Sequence, residues 1–403
     1  MVKQSETYRL GTALLVYFLL ITVIVTLLPF RFQMPRVMDI RVHTNVPDFI
    51  LNVFLFVPLG FLFQLSRRKN TPLRTSDVLL FGVLFSCAIE SAQLFLVGRY
   101  TSVIDVFSNG MGAWMGAKGY LLLRRRLQHQ TVGLMALELP LMNLVYLLVP
   151  LLWLSGMATG RELNRLWLLL INGFVGAVVL VEVYRHRLKH RLRVSSTALA
   201  LGVMLWFLMA NLPALVNFPL RVFLFAVVIG WVVFDRAGRP IPELSIDRRF
   251  EIPTLQKIMP LYAGYLVLLV YWPLSGSGFR WDWMLSPGMF ADDPPLPVVS
   301  RLVEYLAAST LLGYMIAEWR GRVQRKSYRA FIRQYGFVAG ILLFLEILRG
   351  IHPLHAASLG RFLMAATAGI YGSAIYRLQI RTIRKILAAK QSDFPGNPIL
   401  QKK

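Results

Sequence analysis

Between positions 48 and 116 the chain sets ionisable and amide side chains inside otherwise apolar runs. Asp48 and Asn52 stand four residues apart, as do Asp105 and Asn109, while Glu90 and Gln93 stand three apart. On helices each pair shares one face. Carboxylates gathered at the edge of a low-dielectric medium hold a proton more tightly, which suits acid–base work. Glu90, Asp105 and Asp48 are therefore the candidate catalytic groups, with Glu90 first because it lies deepest in its apolar run. Arg99 is the kind of side chain that grips a phosphate or carboxylate through parallel hydrogen bonds. Asn52, Gln93, Ser102 and Asn109 complete a substrate-binding set. The competing reading is structural, with Arg99 paired to Asp105 or Glu90 and the amides pinning helices together. Pro58, Gly60, Gly112 and Gly116 belong to helix kinking and close packing.

No metal-binding pattern accompanies this set. His352 and His355 have a ligand-like spacing, but Pro353 interrupts them and no third ligand is evident. A Mg²⁺ ion bridging the carboxylates to a pyrophosphate is chemically reasonable but has no motif here, so the cofactor stays open. The lone Cys87 excludes an intramolecular disulfide and a thiolate cage. Glu138 and Glu182 lie beside basic clusters and read as surface pairs. Trp281 and Trp283 read as anchors at a membrane interface.

The elements that must position these groups are apolar runs long enough to cross about 30 Å of hydrocarbon. The chain is 56% hydrophobic and 16% charged, with a mean hydropathy of +0.56. Twelve runs emerge, at 10–28, 48–65, 78–97, 103–123, 132–154, 163–184, 197–212, 218–234, 255–273, 298–318, 331–348 and 356–376. The expected fold is all-α, a polytopic integral membrane protein of about twelve helices. The first run reads as a retained helix, since no small-residue cleavage site follows it. Pro213 and Pro219 bracket a short turn between the seventh and eighth runs.

The net charge of +24 does not point to nucleic acid, because the basic residues lie in short clusters between apolar runs. Most of the 44 Lys and Arg residues fall in every second connection when both termini are placed in the cytoplasm, as the positive-inside bias requires. That placement sets the polar groups of residues 48–116 in the outer half of the membrane. The lipid bilayer is the expected partner, and oligomeric state is left open.

Four segments follow: 1–127, 128–254, 255–386 and a cytoplasmic tail, 387–403. A shift of 256 residues without gaps lays Asp48 on Glu304, Glu90 on Glu346, Ser102 on Ser358 and Gly116 on Gly372. This suggests a parallel internal repeat of a four-helix unit, the second copy losing most of the polar set.

The ordered set Asp48-x₃-Asn52-x₅-Pro58-x-Gly60, Glu90-x₂-Gln93 and Arg99-x₂-Ser102-x₂-Asp105-x₃-Asn109-x₂-Gly112-x₃-Gly116 resembles the VanZ-like family, over roughly residues 10–125. That family comprises small bacterial membrane domains whose namesake is tied to resistance to the glycopeptide teicoplanin. The resemblance implies a cell-envelope setting, with a site open to the outer face that acts on or binds a lipid-linked or cell-wall precursor. Two alternatives stand beside this: a non-catalytic membrane scaffold or binding protein, and a transporter or flippase. Whether the chain is an enzyme stays open.

Overall fold

The computed structural model describes residues 7–27, 32–34, 40–41, 45–66, 73–96, 101–127, 132–160, 162–189, 194–239, 250–272, 281–282, 296–323, 328–352 and 355–393. Among them are thirteen α-helices. The first six are α1 (Thr7–Leu27), α2 (Val46–Leu65), α3 (Thr75–Gln93), α4 (Val103–Leu127), α5 (Val132–Thr159) and α6 (Leu166–Val183). There follow α7 (Ser196–Ala210), α8 (Leu212–Asn217), α9 (Pro219–Gly238) and α10 (Glu251–Tyr271). The last three are α11 (Leu296–Val323), α12 (Tyr328–Gly350) and α13 (Leu359–Asp393). Two-residue strands β1 (Ile40–Arg41), β2 (Thr101–Ser102), β3 (Trp281–Asp282) and β4 (Ala357–Ser358) lie in the connections.

A helix overlies each apolar run. Among the described residues five helical stretches are long and apolar enough to cross a bilayer: Val46–Leu65, Thr75–Gln93, Pro140–Thr159, Leu163–His186 and Glu251–Tyr271. The chain is thus an all-α, multi-pass membrane protein in contact with lipid. Leu80, Leu84, Leu220 and Trp231 turn outward, as a lipid-facing surface requires. Between Pro213 and Pro219 the expected turn is itself a short helix, α8, with proline in its first turn, where the missing N–H leaves no gap. The last helix runs well past the apolar run, to Asp393.

The chain divides into two compact units. One comprises residues 1–140 and 375–403, the other residues 141–374. In the first, α2 and α4 approach backbone to backbone. A Cβ on Gly60 would lie 1.9 Å from Ala113 O, and one on Gly116 would lie 2.0 Å from Val57 O. Gly112 faces Val53 O in the same way, at 2.2 Å, and Pro58 lies within α2. Hydrogen alone fits at such a crossing. At the end of this unit where α2 and α4 begin, the connections lace together. β1 pairs in parallel with β2, Ile40 opposite Thr101, and Gln33 N donates to Phe95 O at 2.7 Å.

In the second unit, Leu152, Leu169, Phe207, Val222 and Ile229 share one apolar core. Here α11 and α13 cross as α2 and α4 do. A Cβ on Gly313 would lie 1.9 Å from Gly369 O, and one on Gly372 would lie 1.8 Å from Thr310 O. β3 pairs in parallel with β4, Asp282 opposite Ser358. The α4 contacts recur 256 residues on, but those of α2 recur 253 residues on.

Candidate functional site

Ser102, the residue before α4, is fully buried, so the first N–H groups of the helix need partners within the protein. The polar residues of the first unit answer that need. Glu90, buried at the end of α3, accepts the Ser102 N–H on Oε2 at 2.8 Å. Thr101 Oγ1 donates to the Glu90 carbonyl at 3.0 Å. Ser102 is fully buried, and its Oγ accepts the Asp105 N–H at 3.4 Å, the position of an N-cap. A carboxylate against a helix N-terminus is further favoured by the macrodipole. Glu90, Ser102 and Asp105 thus meet at the start of α4, where β1 and β2 also pair.

The amides are tied to neighbouring elements. Gln93 Nε2 donates to Thr26 O on α1 at 2.9 Å, and Asn109 Nδ2 donates to Ser86 Oγ on α3 at 2.8 Å. Asp48 and Asn52 are half-buried near the start of α2 and join none of these bonds. Arg99 lies outside the described residues, as does Trp283.

Sequence reasoning placed Glu304 and Glu346 within apolar runs but missed the buried partners they hold, all in the other unit. Glu304, fully buried on α11, bonds Arg165 Nη2, accepts from Ser155 Oγ at 2.6 Å and from Tyr265 Oη at 3.3 Å. Arg165 is buried as well, in the 3₁₀ turn that leads into α6. Glu346, also fully buried, accepts Ser358 N and Arg361 Nε on Oε1, each at 2.8 Å. The signal was an acidic residue within each apolar run, but the partner lies 139 residues away in one case and so has no local signature. Glu182 at the end of α6 accepts from Lys257 Nζ at 2.7 Å, with Arg185 and His186 beside it, but the glutamate is itself buried and so is not the surface pair expected. His352 and His355 stack 4.6 Å apart, and His355 Nε2 donates to Trp272 O at 2.7 Å. Among the described residues no group of three side chains could hold a metal ion.

No curated protein and no solved structure matches the chain. The family model described as VanZ/LLP1 matches residues 4–124, the stretch that holds α1 to α4 and the Glu90–Ser102–Asp105 corner. The first part of the chain is accordingly a VanZ-like segment, carried in a longer, all-helical membrane protein.

Proposed function

We propose that this is a binding protein of the bacterial inner membrane whose VanZ-like segment receives a lipid-linked cell-wall precursor on its outer face. The carrying observation is the buried corner at the start of α4, where Glu90, Ser102 and Asp105 meet under laced connections. Glu90 holds the connection in place, so it acts as a positioning residue. Asp48 and Asp105 present charge to the ligand, Arg99 binds its phosphate or carboxylate, and Asn52 and Asn109 line the approach. Twelve crossings with both termini in the cytoplasm put this corner at the outer surface, in agreement with the placement of Lys and Arg.

The reading extends to a repeat. The second unit ends in a copy of the first four helices, supported by three recurrences: the glycine crossings, the parallel strand pairs, and a buried Glu that accepts a Ser N–H twelve residues on. The α5–α9 stretch links the two copies, and the tail after 387 is cytoplasmic.

An enzymatic reading keeps Glu90, Asp105 and Asp48 as acid–base groups. The experiment that separates the two uses full-length protein carrying Asp105→Asn or Arg99→Lys, with membrane levels as control. Binding predicts weakened capture of lipid-linked precursor by purified protein and no change in precursor mass on incubation. A changed mass supports the enzyme. Capture equal to wild type in both variants sinks the site.

A further inference from the structure

The glycine contacts place α11 against α2 with an offset of 253, whereas α12 and α13 follow α3 and α4 with an offset of 256. On that register Asp48 corresponds to Arg301 and Asn52 to Tyr305, not to Glu304 and Ala308. Gln93 corresponds to Arg349, Arg99 to His355 and Asp105 to Arg361. The two acidic positions, Asp48 and Asp105, thus meet basic residues, and the neutral Gln93 meets a third, Arg349.

The charges there do not balance. Arg361 is answered by Glu346, with Nη2 and Oε1 2.7 Å apart, and Arg301 by Glu162. Arg349, one turn beyond Glu346 on α12, has a buried Nε with no hydrogen-bond partner. Tyr305, 1% exposed, lies within electrostatic reach of Glu346, Arg349 and Arg361, and its hydroxyl is also unpartnered. Glu346 Oε2 is a third buried atom without a partner. Glu346 faces Arg349 as well but is already bonded to Arg361, so one carboxylate serves two guanidiniums, an excess of positive charge that an added anion would balance.

We infer that Arg349, with Arg301, Arg361 and Tyr305 around it, forms a second, anion-binding site that takes a phosphate monoester. The ligand must bring negative charge to Arg349, accept from the Tyr305 hydroxyl, and offer a hydrogen to Glu346 Oε2. A phosphate monoester that keeps one proton does all three, whereas a phosphodiester lacks the hydrogen. Arg349 is part-exposed, which gives the headgroup its way in. The source is either a lipid whose headgroup is a monoester or free phosphate.

The test is native mass spectrometry of the full-length protein from detergent, with phosphatidic acid, phosphatidylglycerol and phosphatidylcholine offered in turn. Phosphatidic acid should be retained about tenfold better than phosphatidylcholine, the ratio expected of one charge-assisted bond. Arg349→Gln should abolish that preference. Tyr305→Phe, which changes no charge and one atom, should reduce it several-fold. If inorganic phosphate displaces phosphatidic acid at millimolar concentration, the natural ligand is free phosphate; if it does not, the ligand is a lipid. Equal retention of all three lipids, or an Arg349→Gln protein that binds as wild type, overturns the site. No residue of the VanZ-like segment enters this test, so the outcome is independent of the function proposed for that segment.

Discussion

Replacing Glu304 by Gln tests the buried ion pair of the second unit. Gln is nearly isosteric and keeps an oxygen for Ser155, whose hydroxyl donates at 2.6 Å. It removes the charge facing Arg165, a side chain only 2% exposed whose Nε already lacks a partner. Its amide nitrogen also sets donor against donor at the guanidinium. Removing one member of a buried pair costs about 3–5 kcal/mol, because the remaining charge is left without compensation. For a unit of roughly 150–250 residues each kcal/mol lowers the midpoint by about 2–4 °C, so the expected loss is about 6–20 °C.

The companion variant Arg165→Gln/Glu304→Gln removes both charges and leaves hydrogen-bonding groups facing each other. Exchanging a whole buried pair for neutral groups is often neutral or stabilising. The double variant should therefore melt above Glu304→Gln alone. Intrinsic Trp fluorescence of purified full-length protein in detergent, heated at one fixed scan rate, reads both, since such unfolding is commonly irreversible. A Glu304→Gln midpoint within about 1 °C of wild type would refute the reasoning, as would a double variant that melts below either single one.

Other consequences can be measured in the same preparation. Gly60→Ala or Gly116→Ala should force α2 from α4 and cost about 1–3 kcal/mol, lowering membrane level, whereas Gly119→Ala, with nothing within 4 Å, should be neutral. Burial lowers the pKa of His355, with Arg349, His352 and Arg361 acting in the same direction. The folded state then binds fewer protons there, so stability is full above the ordinary imidazole value of 6.5 and falls as pH drops through the lowered one. His355→Gln should flatten that acid limb in a melting series. Changing Cys87 to Ser gives a cysteine-free chain, in which Asn45→Cys should react with an impermeant maleimide on intact cells and Arg74→Cys only after permeabilisation. The reverse labelling would invert the topology.

The helices were legible in the sequence because each is an apolar run cut off by charge. The run 48–65 became Val46–Leu65, and 103–123 became Val103–Leu127. The sequence misses α8, since Pro213 and Pro219 signal a break but not the single helical stretch it encloses. It misses the basic extension of α13 to Asp393, where helix continues without an apolar run to announce it. The strand pairs and the Arg165–Glu304 bond join segments far apart in sequence, and periodicity carries no information about them. The glycine crossings set α11 three residues, nearly one turn, off the ungapped 256-residue shift. On the proposed repeat that offset brings Arg301 and Tyr305 opposite Asp48 and Asn52.

Under the proposed repeat, with α11 offset from α2 by 253 residues, Glu90 stands apart from its polar neighbours. Asp48, Gln93 and Asp105 each have a basic counterpart, in Arg301, Arg349 and Arg361, while Glu90 keeps a Glu in Glu346. Both glutamates hold the N–H of a serine whose Oγ faces the N–H three residues on, at 3.4 Å in one copy and 3.5 Å in the other. On the proposed repeat, a residue that stays acidic while its neighbours change charge serves what the two copies share, the buried start of a helix. On the proposed repeat, the residues that change charge are the ones that would set what each copy binds. Glu90→Gln should then loosen the Ser102 amide, seen as faster hydrogen exchange there, and weaken ligand capture without changing which ligand is preferred. Asp105→Arg, which writes the charge of the second copy into the first, should change the preference itself toward anionic headgroups. If Glu90→Gln alters preference and leaves Ser102 exchange untouched, Glu90 belongs to the ligand site and the division of roles drawn here is wrong.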